Sequence, residues 1–104
     1  MTIEEIRSLL LTADQDIKHY FSMSNDDAYS YWEETQRLPT VADDGHSEEA
    51  WRFYVHRFTR DDCDRIAPEL FYVLDTCPHV AVSWQTDFEP DTGYIHHIFT
   101  CEGY

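Results

Sequence analysis

The sequence predicts an α+β fold, a four-stranded antiparallel sheet with two helices packed on it, in the order α-β-β-α-β-β. Three observations carry this. Apolar residues recur at three- and four-residue steps in two separate segments, Ile3 to Ala13 and Ile66 to Cys77. Stretches rich in aromatic and β-branched residues begin near Ala28, Trp51, Val80 and Tyr94. The last two stretches are joined by Glu89-Pro90-Asp91-Thr92-Gly93, a run of turn formers. A chain of 104 residues is one ordinary domain, spanning 1–104.

Thr2-Ile3-Glu4-Glu5 has the spacing of a capping box, in which hydroxyl and carboxylate each accept from the other residue's backbone amide, so a helix starts here. Ile3, Ile6, Leu9, Leu10 and Ala13 give it one apolar stripe before the polar break Asp14-Gln15-Asp16. Ser24-Asn25-Asp26-Asp27 is a turn signal, and Ala28 to Gln36, with Tyr29-Ser30-Tyr31-Trp32 at its centre, reads as a strand ending before Leu38-Pro39. The acidic stretch Asp43 to Glu49 reads as a loop. Trp51 to Phe58 is the clearest strand, with Trp51, Phe53 and Val55 on one face and Tyr54, His56 and Phe58 on the other.

Asp61, Asp62 and Asp64 place negative charge where a helix N-terminus favours it, and Ile66, Leu70, Val73, Leu74 and Cys77 continue at helical spacing. Pro68 lacks an amide donor, which predicts a late start or a kink between Asp64 and Pro68. Val80, Val82, Trp84, Thr86 and Phe88 alternate with Ala81, Ser83, Gln85 and Asp87, and Tyr94 to Cys101 returns as the second arm of a hairpin. Pro90 presets one turn dihedral and Gly93 can take the left-handed conformation that closes the loop.

Charge excludes several functions. Twenty-one acidic residues against six Arg and the single Lys18 leave a formal charge of -14, which opposes unaided binding to a phosphate backbone or an anionic lipid surface. Leu70 to Leu74 is the longest apolar run, far short of the roughly 20 residues of a membrane span, so no membrane partner is expected. Glu4 and Glu5 precede the first apolar residues, unlike the positive start of an export signal, and the protein is expected to stay where it is made. Cys63, Cys77 and Cys101 are odd in number and widely spaced, the pattern of reduced thiols.

No constellation predicts catalysis, metal or cofactor binding. His96 and His97 are adjacent on a strand and face opposite ways, so they cannot chelate one ion; His97 and Cys101 share a face but have no second ligand pair. With acids this abundant, no carboxylate pair is singled out for proton transfer. The three glycines, at 45, 93 and 103, form no phosphate-binding loop.

Taken along the whole chain, these elements resemble the tail terminators, or tail-completion (head–tail joining) proteins, of long non-contractile-tailed phages. The resemblance rests on the capped first helix, Tyr29-Ser30-Tyr31-Trp32, the strand Trp51 to Thr59, the helix begun by aspartates, and above all the hairpin Asp87-Phe88-Glu89-Pro90-Asp91-Thr92-Gly93-Tyr94. It implies a structural, non-enzymatic subunit of a hexameric ring that caps the tail tube and joins the head connector, with DNA passing through unread. It implies assembly in the bacterial host cytoplasm and a final place in the virion tail. The chain departs from the pattern by its acidity and by ending at Tyr104, directly after the last strand.

Residue chemistry fits such a role on its own terms. Sixteen aromatic residues exceed what one small core holds, and Tyr29, Tyr31, Tyr54, Tyr72 and Tyr94 suit half-buried interfaces. Phe88 to Tyr94 is therefore expected to reach beyond the body or line its rim and to touch a neighbouring subunit or the tube; the alternative is a Phe88–Tyr94 cross-strand pair. Arg52 and Arg57, with Arg60, stand near Asp61, Asp62 and Asp64, so complementary stretches exist for a cyclic contact or for pairing within the chain. The alternative function is an acidic DNA mimic that occupies a host nucleic-acid-binding or defence protein; it requires one continuous acidic face.

Overall fold

A computed structural model describes residues 1–21, 23–39 and 49–104. Most of the acidic loop at 43–49 lies outside the described residues. Two helices, α1 (Ile3–Ala13) and α2 (Ile66–Asp75), accompany five strands, β1 (Lys18–His19), β2 (Ala28–Arg37), β3 (Trp51–Thr59), β4 (Val80–Glu89) and β5 (Tyr94–Gly103). The fold is α+β, but the sheet is mixed and five-stranded, in the order β1-β2-β3-β5-β4. The four-stranded antiparallel sheet expected from the sequence is corrected by β1, which pairs parallel with β2 through Lys18 opposite Tyr31 and His19 opposite Trp32. Two residues show no alternation, so no period betrays such a strand.

The capping box forms as predicted: the Glu5 amide donates to the Thr2 hydroxyl and the Thr2 amide to the Glu5 carboxylate, both at 3.1 Å. Hydrogen bonds from Thr2 hold the Glu5 carboxyl below its usual range. Helix α2 takes the late start: Asp64 accepts from the Ala67 amide at 3.0 Å, and Pro68 falls in the first turn, where a missing donor breaks no intrahelical bond. The hairpin register pairs Glu89 with Tyr94, and Gly93 closes its turn at φ +77 with its amide on the Glu89 carbonyl at 2.8 Å.

The principal core lies between the helices and one sheet face, where Ile6, Leu10, Ala67, Leu70 and Leu74 meet Trp32, Phe53, Val55, Phe99 and Cys101. Each large side chain buried there contributes about 1.5–3 kcal/mol. Among the described residues the opposite face carries no helix. It has its own smaller cluster of Tyr31, Phe58 and Tyr94, with Tyr29 against it. The aromatic surplus is thus absorbed in part within the chain: Tyr31 and Tyr94 are buried, Tyr29 and Tyr54 half-buried, and Tyr72 exposed. Among the described residues no helix is long and apolar enough to cross a membrane.

Candidate functional site

The hairpin divides by face. Cross-strand partners share a side, so Phe88, opposite Ile95, points to the face of Trp84 and Phe99, whereas Tyr94, opposite Glu89, points to the other. A Phe88–Tyr94 pair is therefore excluded. Phe88 is 59% exposed, while Tyr94 is only 6% exposed. The Tyr94 hydroxyl donates to the Asp26 carbonyl at 2.5 Å, and its ring meets Tyr29 and Phe58 edge-on. The Arg60 guanidinium lies 4.1 Å over the same ring and donates to the Thr92 carbonyl. Thr92 in turn donates to Glu89 and accepts from the Tyr94 amide. The Tyr94 side of the hairpin is thus tied to the body, while Phe88, Pro90 and Asp91 are exposed.

Arg52 and Arg57 pair within the chain. Arg52 donates to Gln36 at 2.9 Å and to Glu102 at 2.8 Å, which raises its own pKa and lowers that of Glu102. Arg57 is buried and makes a bidentate contact to Asp64 at 2.8 and 3.1 Å, donates to Ser30 at 3.2 Å, and lies 3.7 Å from Asp14. The C-terminal cap of α1 and the residues before α2 bring these carboxylates to one strand position. Burial raises the Asp64 pKa, but the Arg57 and Ala67 hydrogen bonds and the Arg57 charge outweigh it and hold the carboxyl low. Arg57, expected from the sequence to lie at a cyclic contact or to pair within the chain, sits opposite Ser30 and His97 on the helix-bearing face and pairs within the chain.

Two further groupings escaped sequence reasoning. On the helix-free face Tyr29 stacks on Phe58 at 4.8 Å, Phe58 on His96 at 4.0 Å and Tyr31 on His56 at 4.5 Å. His56 Nδ1 and His96 Nε2 share a hydrogen bond of 2.9 Å. Burial lowers the pKa of both, and with the added His56 charge takes His96 down to about 4, so the pair is neutral at pH 7. Alternation identifies these residues as sharing a face, but only the sheet order puts β2 and β5 on either side of β3 to join them.

At the β1 edge, His19 stacks between Tyr20 and Trp32 at 4.0 and 3.9 Å, with Nε2 on Glu34 at 2.6 Å. Tyr20 takes φ +72, unusual for a residue with a side chain, and its hydroxyl bonds Glu34. Past it, Phe21 and Met23 are exposed. The other edge is β4, whose residues from Ser83 to Phe88 are all exposed, Trp84 among them.

His97 Nδ1 accepts from the Trp84 indole at 3.0 Å, and Cys101 Sγ donates to the Phe99 carbonyl; burial pushes the Cys101 thiol far up, away from the thiolate a nucleophile requires. Asp61, Asp62 and Cys63 bring three ligand-type atoms within 4.8 Å of one another, but all are exposed. No protein-family model matches the chain, and no curated protein matches it.

Proposed function

We propose that this chain is a structural, non-enzymatic tail-completion subunit of a phage or prophage, which joins copies of itself into a ring that caps the tail tube and meets the head connector. One observation carries the reading. Among the described residues the sheet ends in two unlike uncovered edges, β4 with Trp84 and Phe88, and β1 continuing into Tyr20, Phe21 and Met23. Exposed apolar groups mark contact sites, and a bare strand edge is one that monomers ordinarily protect. Because the edges differ, a contact between them is heterologous, the kind that generates rings.

The charge of -14 suits a DNA passage, since like charges prevent lasting contact with the strand moving through. On this reading the hexamer assembles on the tube in the host cytoplasm and remains in the virion tail, with no cofactor, no metal and no membrane partner. The test is a phage or prophage lacking the gene, complemented with wild type, Phe88→Glu, or a chain whose Glu89–Gly93 turn is shortened to Asn-Gly. Unfolding of each variant monomer should stay within about 1 kcal/mol of wild type, the range of surface changes. Electron microscopy should show separate heads and tails for both variants and complete particles for wild type. Normal tails joined to heads in the deletion itself would overturn the proposal. Normal joining with the shortened turn would remove the hairpin tip from the interface. Capture of a basic host protein together with normal joining would favour the DNA mimic instead.

A further inference from the structure

Strand β4 is ten residues long and is paired on one side only, by β5, in a register that runs unbroken from Val80 opposite Gly103 to Glu89 opposite Tyr94. Strand edges are ordinarily blunted by lysine, proline, a bulge or a covering segment. β4 contains no lysine and no proline, its register has no bulge, and among the described residues no strand pairs with its outer side. One step beyond the Val80–Gly103 pair, the Tyr104 amide donates to the His79 carbonyl at 2.8 Å. Backbone direction alternates along an antiparallel strand, so the odd-numbered residues turn amide and carbonyl toward β5. Val80, Val82, Trp84, Thr86 and Phe88 turn theirs outward, and Trp84 and Phe88 are 37% and 59% exposed.

We infer that this edge pairs with the same edge of a second copy, antiparallel about a two-fold axis through Trp84, to join the two sheets into one. Outward-facing residues must meet one another, and centring the pair on Trp84 uses every one of them: Trp84 meets its own copy, Val82 meets Thr86 and Val80 meets Phe88. Sliding the register by two residues sets Pro90 against Val80 in one direction and Pro78 against Phe88 in the other, and proline has no amide to donate. The centred register also sorts charge. It sets Glu89 beside His79 and Asp87 beside Ala81, with the two Asp87 about 20 Å apart. Parallel pairing in register would instead put each of these acids against its own copy, which is destabilising. The charge of -14 on each chain opposes association, but salt screens that repulsion. The dimer does not depend on the tail-completion reading; where a ring forms, it holds β4 out of the ring contact until the pair opens.

The test is sedimentation equilibrium of the intact chain from about 5 µM to about 1 mM, joined to amide hydrogen exchange at both ends of that range. Monomer should give way to dimer, and to nothing larger, as concentration rises. The Val82, Trp84, Thr86 and Phe88 amides should gain protection with it, while those of Ser83, Gln85 and Asp87, already turned to β5, should change far less. Added salt should tighten the pair. Ala81→Asp, at an exposed position, faces Asp87 of the second copy twice per dimer and should weaken it about fivefold; Ala81→Lys should tighten it by a similar factor. Thr86→Pro removes only an outward amide and should leave a folded monomer. The exchange pattern of the wild-type chain decides the matter even where that variant does not fold. A chain still monomeric at about 1 mM, an equilibrium blind to both Ala81 variants, equal gains at odd- and even-numbered β4 amides, or growth past the dimer would each overturn the inference. Complementation of a phage lacking the gene reads the ring separately, since the dimer stands or falls whatever that experiment shows.

Discussion

Arg57→Met replaces a buried cation of the helix-bearing face by an apolar side chain of similar length. Three hydrogen bonds disappear, two of them charge-assisted to Asp64, and Asp14 loses the guanidinium 3.7 Å from it. Breaking a buried ion pair by removing one partner costs about 3–5 kcal/mol, because the remaining charge stays buried without compensation. In a domain whose total stability is on the order of 5–15 kcal/mol, this loss is large but leaves a measurable folded population.

The pH dependence separates this cause from simple loss of packing. In the wild type Asp64 is held below its unfolded pKa, so its contribution is present above about pH 4 and disappears as pH falls through the folded value. Without Arg57, burial is opposed only by the Ala67 hydrogen bond and the His97 charge, and the Asp64 pKa rises. The variant then suffers most at neutral pH and recovers ground as Asp64 takes up a proton. Urea unfolding of wild type and variant at pH 7 and pH 5, compared at equal m-value, should show a deficit of about 3–5 kcal/mol that shrinks at the lower pH. A deficit below about 1.5 kcal/mol at pH 7, the scale of one ordinary hydrogen bond, or one independent of pH, would refute the reasoning.

Protonating His96 is opposed in the folded state, so stability should decline between about pH 6.5 and pH 4, and His96→Gln, measured by thermal unfolding, should flatten that decline by roughly 1–2 kcal/mol. Thiol labelling followed by mass spectrometry should modify exposed Cys63 first, slowly because Asp62 and Asp61 raise its pKa, then Cys77, and Cys101 only on unfolding; without reductant the denatured chain should take three labels. Leu70→Ala, at a fully buried position of α2, should cost about 2–5 kcal/mol in denaturant unfolding.

Local rules sufficed wherever a residue acts on its immediate neighbours. The Thr2–Glu5 box, the apolar stripes of both helices, the alternation along β3 and the left-handed Gly93 each depend on contacts a few residues apart, and each was legible. Pro68 was half legible: its missing donor demanded a boundary, and the helix begins at Ile66, with the Asp64 carboxylate accepting from the Ala67 amide in its first turn. What strand periodicity leaves open is which strands lie side by side and what covers each face. Phe88 and Tyr94 both flank the turn, yet the pairing of Glu89 with Tyr94 sends them to opposite faces, one toward solvent and one onto Phe58. Arg57 reads like any charged residue on a strand until the ends of two helices, distant in sequence, bring Asp14 and Asp64 to it. The His56–His96 pair and the two-residue β1 belong to the same class. Composition and short spacing determined the elements and their ends, because those energies are local. Only the packed sheet decided which charges are buried together and which aromatics remain free, because burial is a property of neighbours far apart along the chain.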